Sequence, residues 1–161
     1  MPYLLKRVLR DRMRREAPLA VGDNFSVFVD DEGRLLTCGS DNYEDGEFVL
    51  GHAVDPDANP DDDRAIGPPT LVPSMQDRRI VSVAASEWHC LALSCEGEVY
   101  SWGKGDFGLL GHADGRARAV PSRIESLSHV ESIAVGFSTS AAVDADGRLH
   151  VGSGNSPHSQ R

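Results

Sequence analysis

The chain has no run of eighteen apolar residues, so nothing in it is expected to cross a membrane. Its first residues lack the apolar stretch of a secretory signal. Cysteine is scarce and odd in number. Cys38, Cys90 and Cys95 show no paired zinc-ligand spacing, and they read as reduced, buried residues of a cytoplasmic or nuclear protein. Aromatic residues make up only 6% of the 161 positions, which leaves most of any core to Val, Ile, Leu and Ala. Basic residues are also short, 16 against 25 acidic ones, for a formal net charge of -9. An acidic body excludes broad nucleic-acid binding, which needs cationic surface to displace counterions. Residues 1–16 are the exception, with six Lys or Arg against Asp11 and Glu16. There Leu4 and Val8, and Leu5, Leu9 and Met13, recur one turn apart, which predicts a short basic helix ended by Pro18. Only that helix leaves nucleic-acid binding open.

What the chain does have is one sentence written three times. Ala20 to Gly39 reads AVGDNFSVFVDDEGRLLTCG, Ala84 to Gly103 reads AASEWHCLALSCEGEVYSWG, and Ala134 to Gly152 reads AVGFSTSAAVDADGRLHVG. Self-similarity at a period near fifty residues signals a repeat architecture. The middle copy gives the strand grammar: Ile80–Ala84, His89–Leu93 and Glu98–Trp102 are β runs, with Gly97 supplying the positive φ of a tight hairpin. Gly33 and Gly147 stand at the same point of the other copies. The small residues of His89–Leu93 suggest a strand buried on both faces. A second phrase follows, Gly105 to His112 matching Asp45 to His52, and then a polar loop with Pro69 or Pro121. Gly33 and Gly97 are 64 residues apart, against 50 for Gly97 and Gly147, and the excess falls in an acidic insertion over 40–68. The expected layout is a basic helix or linker over 1–18 and a repeat segment over 19–155. Its repeats lie near 20–79, 80–129 and 130–155, with a tail over 156–161.

Val81 to Gly111, VSVAASEWHCLALSCEGEVYSWGKGDFGLLG, resembles the repeat of the regulator of chromosome condensation family. The resemblance runs over roughly 19–155 and implies a β-propeller, usually seven-bladed, with four-stranded blades. Here it implies an all-β, partial propeller of about three antiparallel blades behind the basic helix. A ring of seven such blades needs about 350 residues. The repeat-defining positions are Gly22, Gly33, Gly39, Gly51, Ser86, His89, Gly97, Trp102, Gly103, Gly111, Gly136, Gly147 and Gly152. Ser86 replaces the motif glycine, and by letter matching Leu149-His150-Val151-Gly152 is one residue short, with no counterpart of Trp102. The resemblance implies a protein–protein interaction module, a piece of a larger propeller, without catalytic chemistry of its own. The alternatives it carries are guanine-nucleotide exchange on a small GTPase and a recognition segment of a multidomain ubiquitin ligase.

Other motifs dissolve into repeat grammar. Gly103-Lys104-Gly105-Asp106-Phe107-Gly108 satisfies the dinucleotide glycine pattern, but no helix follows to present its amides to a phosphate. Asp55, Asp57, Asn59, Asp61 and Asp63 alternate like calcium ligands, yet Pro60 replaces the loop glycine and Ile66 the closing glutamate. No cofactor and no metal are expected. Light absorption through clustered tryptophans, found in the family, is excluded because Trp88 follows Glu87 and has no adjacent arginine. The interaction residues expected are Asp41, Tyr43, Glu44, Asp61, Asp62 and Asp63 in the acidic insertion, with Glu87 and Trp88 in one turn and Lys104 and Asp106 in another. The implied partner is a protein, either a small GTPase or a basic protein surface.

Overall fold

The structure, a computed structural model, describes residues 19–41, 48–53 and 65–153. The expected basic helix, most of the acidic insertion and the tail lie outside the described residues. Eleven strands among these residues form three antiparallel sheets. The first runs β1 (Leu19–Val21), β2 (Phe25–Val29), β3 (Leu35–Ser40) and β4 (Ala65–Leu71). The second runs β5 (Ile80–Ala85), β6 (His89–Ser94), β7 (Val99–Gly103) and β8 (Arg118–Arg123). The third runs β9 (Val130–Gly136), β10 (Thr139–Asp144) and β11 (Leu149–Ser153). Neighbours in sequence are neighbours in each sheet, and the first strands of successive sheets lie beside one another, as in an arc of propeller blades.

The fourth strands, β4 and β8, are where a polar, proline-bearing loop is expected from sequence. They contain Pro68, Pro69 and Pro121. An outer edge strand tolerates proline because its open side needs no ladder donor.

The middle sheet is sandwiched, which explains its composition. Every residue of β6 and β7 is buried. Cys90, Ala92, Tyr100 and Trp102 face the first sheet, where they meet Phe25, Val27, Leu35, Leu50 and Met75. Leu91, Leu93 and Val99 face the third sheet, where they meet Val130 and Ala142. Two separate cores therefore flank one sheet, and the period-2 alternation of a strand divides its side chains between them.

Backbone locks hold the sheets in series. In the β2–β3 turn Asp30 Oδ1 accepts the Glu32 and Arg34 amides at 3.0 and 2.9 Å. Asp144 Oδ1 does the same for Asp146 and Arg148, both at 3.0 Å, and Ser94 Oγ accepts the Glu98 amide at 3.2 Å. This fixes the turn glycine at a left-handed φ of 84° at Gly33, 83° at Gly97 and 78° at Gly147. The Gly33 carbonyl then accepts the Ile80 amide at 2.8 Å, and the Gly97 carbonyl accepts the Val130 amide at 3.0 Å. Within the receiving sheet, the Cys95 amide bonds the Arg79 carbonyl and the Ala145 amide bonds the His129 carbonyl, each at 2.9 Å, which holds the docked residue in place. A Cβ on Gly97 would stand 3.0 Å from His129 Cα.

The register corrects one alignment. Thr139 pairs with Ser153 as His89 pairs with Gly103 and Phe25 with Gly39. The last copy is therefore not one residue short. Ser153 takes the position of Gly39 and Gly103, and Gly152 takes the position of Trp102. Counting from the turn glycine sets the register, whereas letter matching slides Gly152 by one.

Candidate functional site: a rim of inter-strand turns

Two of the turns expected to carry interaction residues are brought together. The Lys104 amide donates to the Trp88 carbonyl at 2.8 Å, as the Ser40 amide does to the Asn24 carbonyl at 3.0 Å in the first sheet. This approach is why the strand before Lys104 ends in glycine: a Cβ on Gly103, at φ 107°, would strike the Trp88 carbonyl oxygen. Lys104 Nζ sits 5.3 Å from the centroid of the Trp88 ring and 3.9 Å from the Asp106 carboxylate. Trp88 itself is half-buried because a third residue covers it. Phe137, in the β9–β10 turn, places its ring 4.3 Å from that of Trp88 at an interplanar angle of 53°. Phe137 is 64% exposed, an unusual position for a large apolar side chain. Glu87 and Asp106 are exposed beside it. The rim thus presents an aromatic pair, one cation and a fringe of carboxylates.

Sequence reasoning missed Phe137. Its one signal was register, since it stands where Glu87 stands in the middle copy, but a lone phenylalanine between Gly136 and Ser138 carries no pattern.

Asp41 is a correction. It was expected on the interaction surface, but it is 3% exposed, and its Oδ1 accepts the Leu50 amide at 2.8 Å. Its carboxylate braces the start of the Leu50-Gly51-His52 phrase, so it faces inward despite the acidic run that follows. Tyr43, Glu44, Asp61, Asp62 and Asp63 lie outside the described residues.

Below the rim, a chain of side-chain hydrogen bonds crosses the second and third sheets. Ser140 Oγ donates to the Leu109 carbonyl at 2.8 Å, so it accepts from His89 Nε2–H, also at 2.8 Å. His89 Nδ1 is then unprotonated and accepts from Ser86 Oγ at 2.8 Å. Ser86 replaces the motif glycine because this imidazole gives it a partner. In the first copy the same pair is Gly22 and Phe25, and a Cβ on Gly22 would strike the Phe25 ring. Burial pushes the His89 pKa down to about 4, so the ring is neutral. Although Ser–His–Ser suggests a catalytic set, the proton on Nε2 makes His89 a donor to Ser140, not a base that could activate it. Among the described residues no carboxylate bonds Nδ1. The chain is a strut between sheets.

The other motif histidines act within a sheet, each tying a loop to that sheet's third strand. His52 Nε2 bonds Thr37 Oγ1 at 3.0 Å and His112 Nε2 bonds Ser101 Oγ at 2.9 Å, while the two hydroxyls donate to the Leu50 and Leu110 carbonyls. Of the three cysteines expected to be buried, Cys90 is, and burial pushes its thiol well up, which leaves it inert; Cys38 is half-buried and Cys95, in a turn, is exposed. Among the described residues no group of three or more His, Cys, Asp or Glu is placed to hold a metal ion. None of their helices is long and apolar enough to cross a membrane.

These locks, turns and histidine struts recur with the register of the sequence repeat. Comparison with protein families matches residues 96–143, and separately 80–109, to the Regulator of chromosome condensation (RCC1) repeat. The chain belongs to the RCC1-repeat family. Among curated relatives, the RCC1 domain-containing protein RUG3, mitochondrial, of Arabidopsis thaliana is 36% identical over 83% of this chain and 28% of its own length. The E3 ubiquitin-protein ligase HERC2 of Homo sapiens is 45% identical over 54% of this chain and 2% of its own length. The chain therefore spans about a quarter of one relative and a small fraction of the other. Among solved structures, yeast RCC1 (Prp20), bound to Kap60, superposes with a TM-score of 0.66 at 22% identity. It covers 83% of this chain and 31% of its own. Human WBSCR16 gives 0.65 at 22% identity, over 83% and 31%. At such identities these structures bear on the fold alone, which is β-propeller-like.

Proposed function

We propose that this RCC1-repeat chain is a protein–protein interaction module, and that its contact surface is the rim built around Trp88 and Phe137. The observation that carries this reading is an aromatic pair on two turns locked to rigid sheets, with one ring largely in solvent. Exposed aromatics on a pre-ordered frame are efficient anchors, because binding them costs little further ordering. The surrounding carboxylates of Glu87 and Asp106, with an overall charge of -9, favour a basic partner surface and would speed its approach. Recognition by blade-edge turns leaves the chain without a reaction of its own.

The relatives suggest what such a module serves. Prp20p is described with binding properties to Gsp1p and histones, the second of them basic proteins. Guanine-nucleotide exchange is the weaker reading for this chain, since exchange requires a face able to distort a nucleotide site. The HERC2 match supports the alternative of a recognition segment in a larger ubiquitin ligase. The compartment expected from sequence, cytoplasm or nucleus, stands beside the mitochondrial designation of the Arabidopsis relative.

The test is site-specific photo-crosslinking in cells. A photoreactive residue at position 137 should give a discrete adduct that Trp88→Ala abolishes. The same residue at Arg148, in a remote turn, should not. Equal adduct patterns at both positions would refute the rim as the contact surface.

A further inference from the structure

The two inter-sheet cores are built on the same plan but are not filled alike. Between the first and second sheets, Trp102 is fully buried and its Nε1–H donates to the Val49 carbonyl at 2.7 Å. The indole lies over Gly51: a Cβ built there would come within 3.3 Å of Trp102 Nε1 and 3.4 Å of Val72. Between the second and third sheets the register puts Gly152 at the position of Trp102, and the phrase Leu109-Leu110-Gly111 in place of Val49-Leu50-Gly51. Ile124 stands where Val72 stands: its amide bonds the Val99 carbonyl as the Val72 amide bonds the Leu35 carbonyl. No side chain at position 152 takes the indole's place, and a cleft of about 240 Å³, partly open to solvent, lies between the sheets there. Leu91, Val99, Ile124 and Leu127 give it apolar walls, Gly111 and Gly152 lie at its edge, and Ser140 and His150 supply polar atoms.

We infer that this cleft is a binding site for a small planar bicyclic aromatic molecule carrying one N–H donor, with the size and polarity of indole. An apolar cavity of about 150 Å³ already accepts benzene, so the larger volume suits a fused pair of rings. The first interface supplies the template, because the same cradle holds an indole there. It also supplies the polar contact. Leu109 occupies the position of Val49, and its carbonyl accepts one hydrogen bond, from Ser140 Oγ at 2.8 Å. A carbonyl oxygen has a second lone pair, and that lone pair is left for the N–H of the ligand. The ring would replace a missing side chain across the second interface and would therefore tighten the third sheet against the second.

The experiment titrates the 161-residue chain with indole, read by calorimetry and by backbone amide shifts, with benzofuran as the matched ring lacking N–H. Saturable binding is expected, at least threefold tighter for indole than for benzofuran, with shifts centred on Gly111 and Gly152. Gly152→Trp should refill the site from within and weaken indole binding at least tenfold. Leu127→Phe, in a half-buried loop, should weaken it in the same direction if the first variant folds poorly. N-acetyl-tryptophanamide distinguishes a free small molecule from a tryptophan side chain, and tighter binding by either probe supports the site. Absence of saturation by either probe, or binding that both filled variants leave unchanged, would overturn the inference.

Discussion

Truncating Trp102 to alanine should be among the most damaging single changes in this chain, and its cost can be worked from the interface it fills. The side chain is completely buried between the first and second sheets. Removing a buried Trp or Phe to alanine costs about 3–5 kcal/mol through lost transfer energy and the cavity left behind. The Val49 carbonyl also loses its 2.7 Å donor, leaving only Cys90 Sγ at 3.8 Å, a weak substitute. An orphaned buried acceptor adds about 1 kcal/mol or more. The combined loss, roughly 4–6 kcal/mol, is comparable with the whole stability of an ordinary domain. Urea denaturation followed by far-ultraviolet circular dichroism and by fluorescence of the remaining Trp88 would measure it. Trp102→Phe keeps a ring but no donor and should cost roughly half as much. A loss below about 1.5 kcal/mol for Trp102→Ala would refute the argument, because it would mean that this interface does not depend on the indole.

Three further outcomes follow from named geometry. His89 has a pKa of about 4 in the fold against 6.5 in the unfolded chain, so the unfolded state binds the extra proton between these values. Stability should therefore be full above about pH 6.5 and fall as pH drops toward 4, by on the order of 3 kcal/mol. Replacing the pair as in the first copy, Ser86→Gly with His89→Phe, should flatten the slope; an unchanged slope in denaturation measured across that range would contradict the assignment. Gly97→Ala and Gly147→Ala impose the same left-handed strain, about 1–2 kcal/mol. At Gly97 the new Cβ also meets the His129 backbone, whereas at Gly147 nothing lies within 4 Å. Gly97→Ala should thus be clearly the costlier in thermal unfolding, and equal costs would remove the inter-sheet lock from the account.

How much of this was legible beforehand depended on local chemistry. The three inner strands of the middle sheet were readable because apolar runs alternate with Gly97 and Gly103, whose backbone roles need no tertiary knowledge. Burial on both faces of β6 was readable from its small residues. The fourth strands were not: RAVPSR and AIGPPTL have the prolines and polarity of loops, and only an edge position lets them pair. Asp41 was misread because a carboxylate at the head of an acidic run resembles a solvated one, and its bond to the Leu50 amide is set nine residues away. Of the expected rim residues, Trp88 and Lys104 do meet, but the phenylalanine that completes their cluster comes from another sheet. The cleft at Gly152 could not be read at all until the register showed which tryptophan that glycine replaces.

The central functional claim is that the Trp88–Phe137 rim is the contact surface of a recognition module. Photo-crosslinking from position 137, compared in the parent chain and in Trp88→Ala, tests it most directly, once the variant is shown by denaturation to have kept its stability within about 1 kcal/mol. The expected result is one discrete adduct, to a protein with a basic surface, that weakens with added salt and disappears in the variant. An adduct that persists undiminished without Trp88 would contradict it.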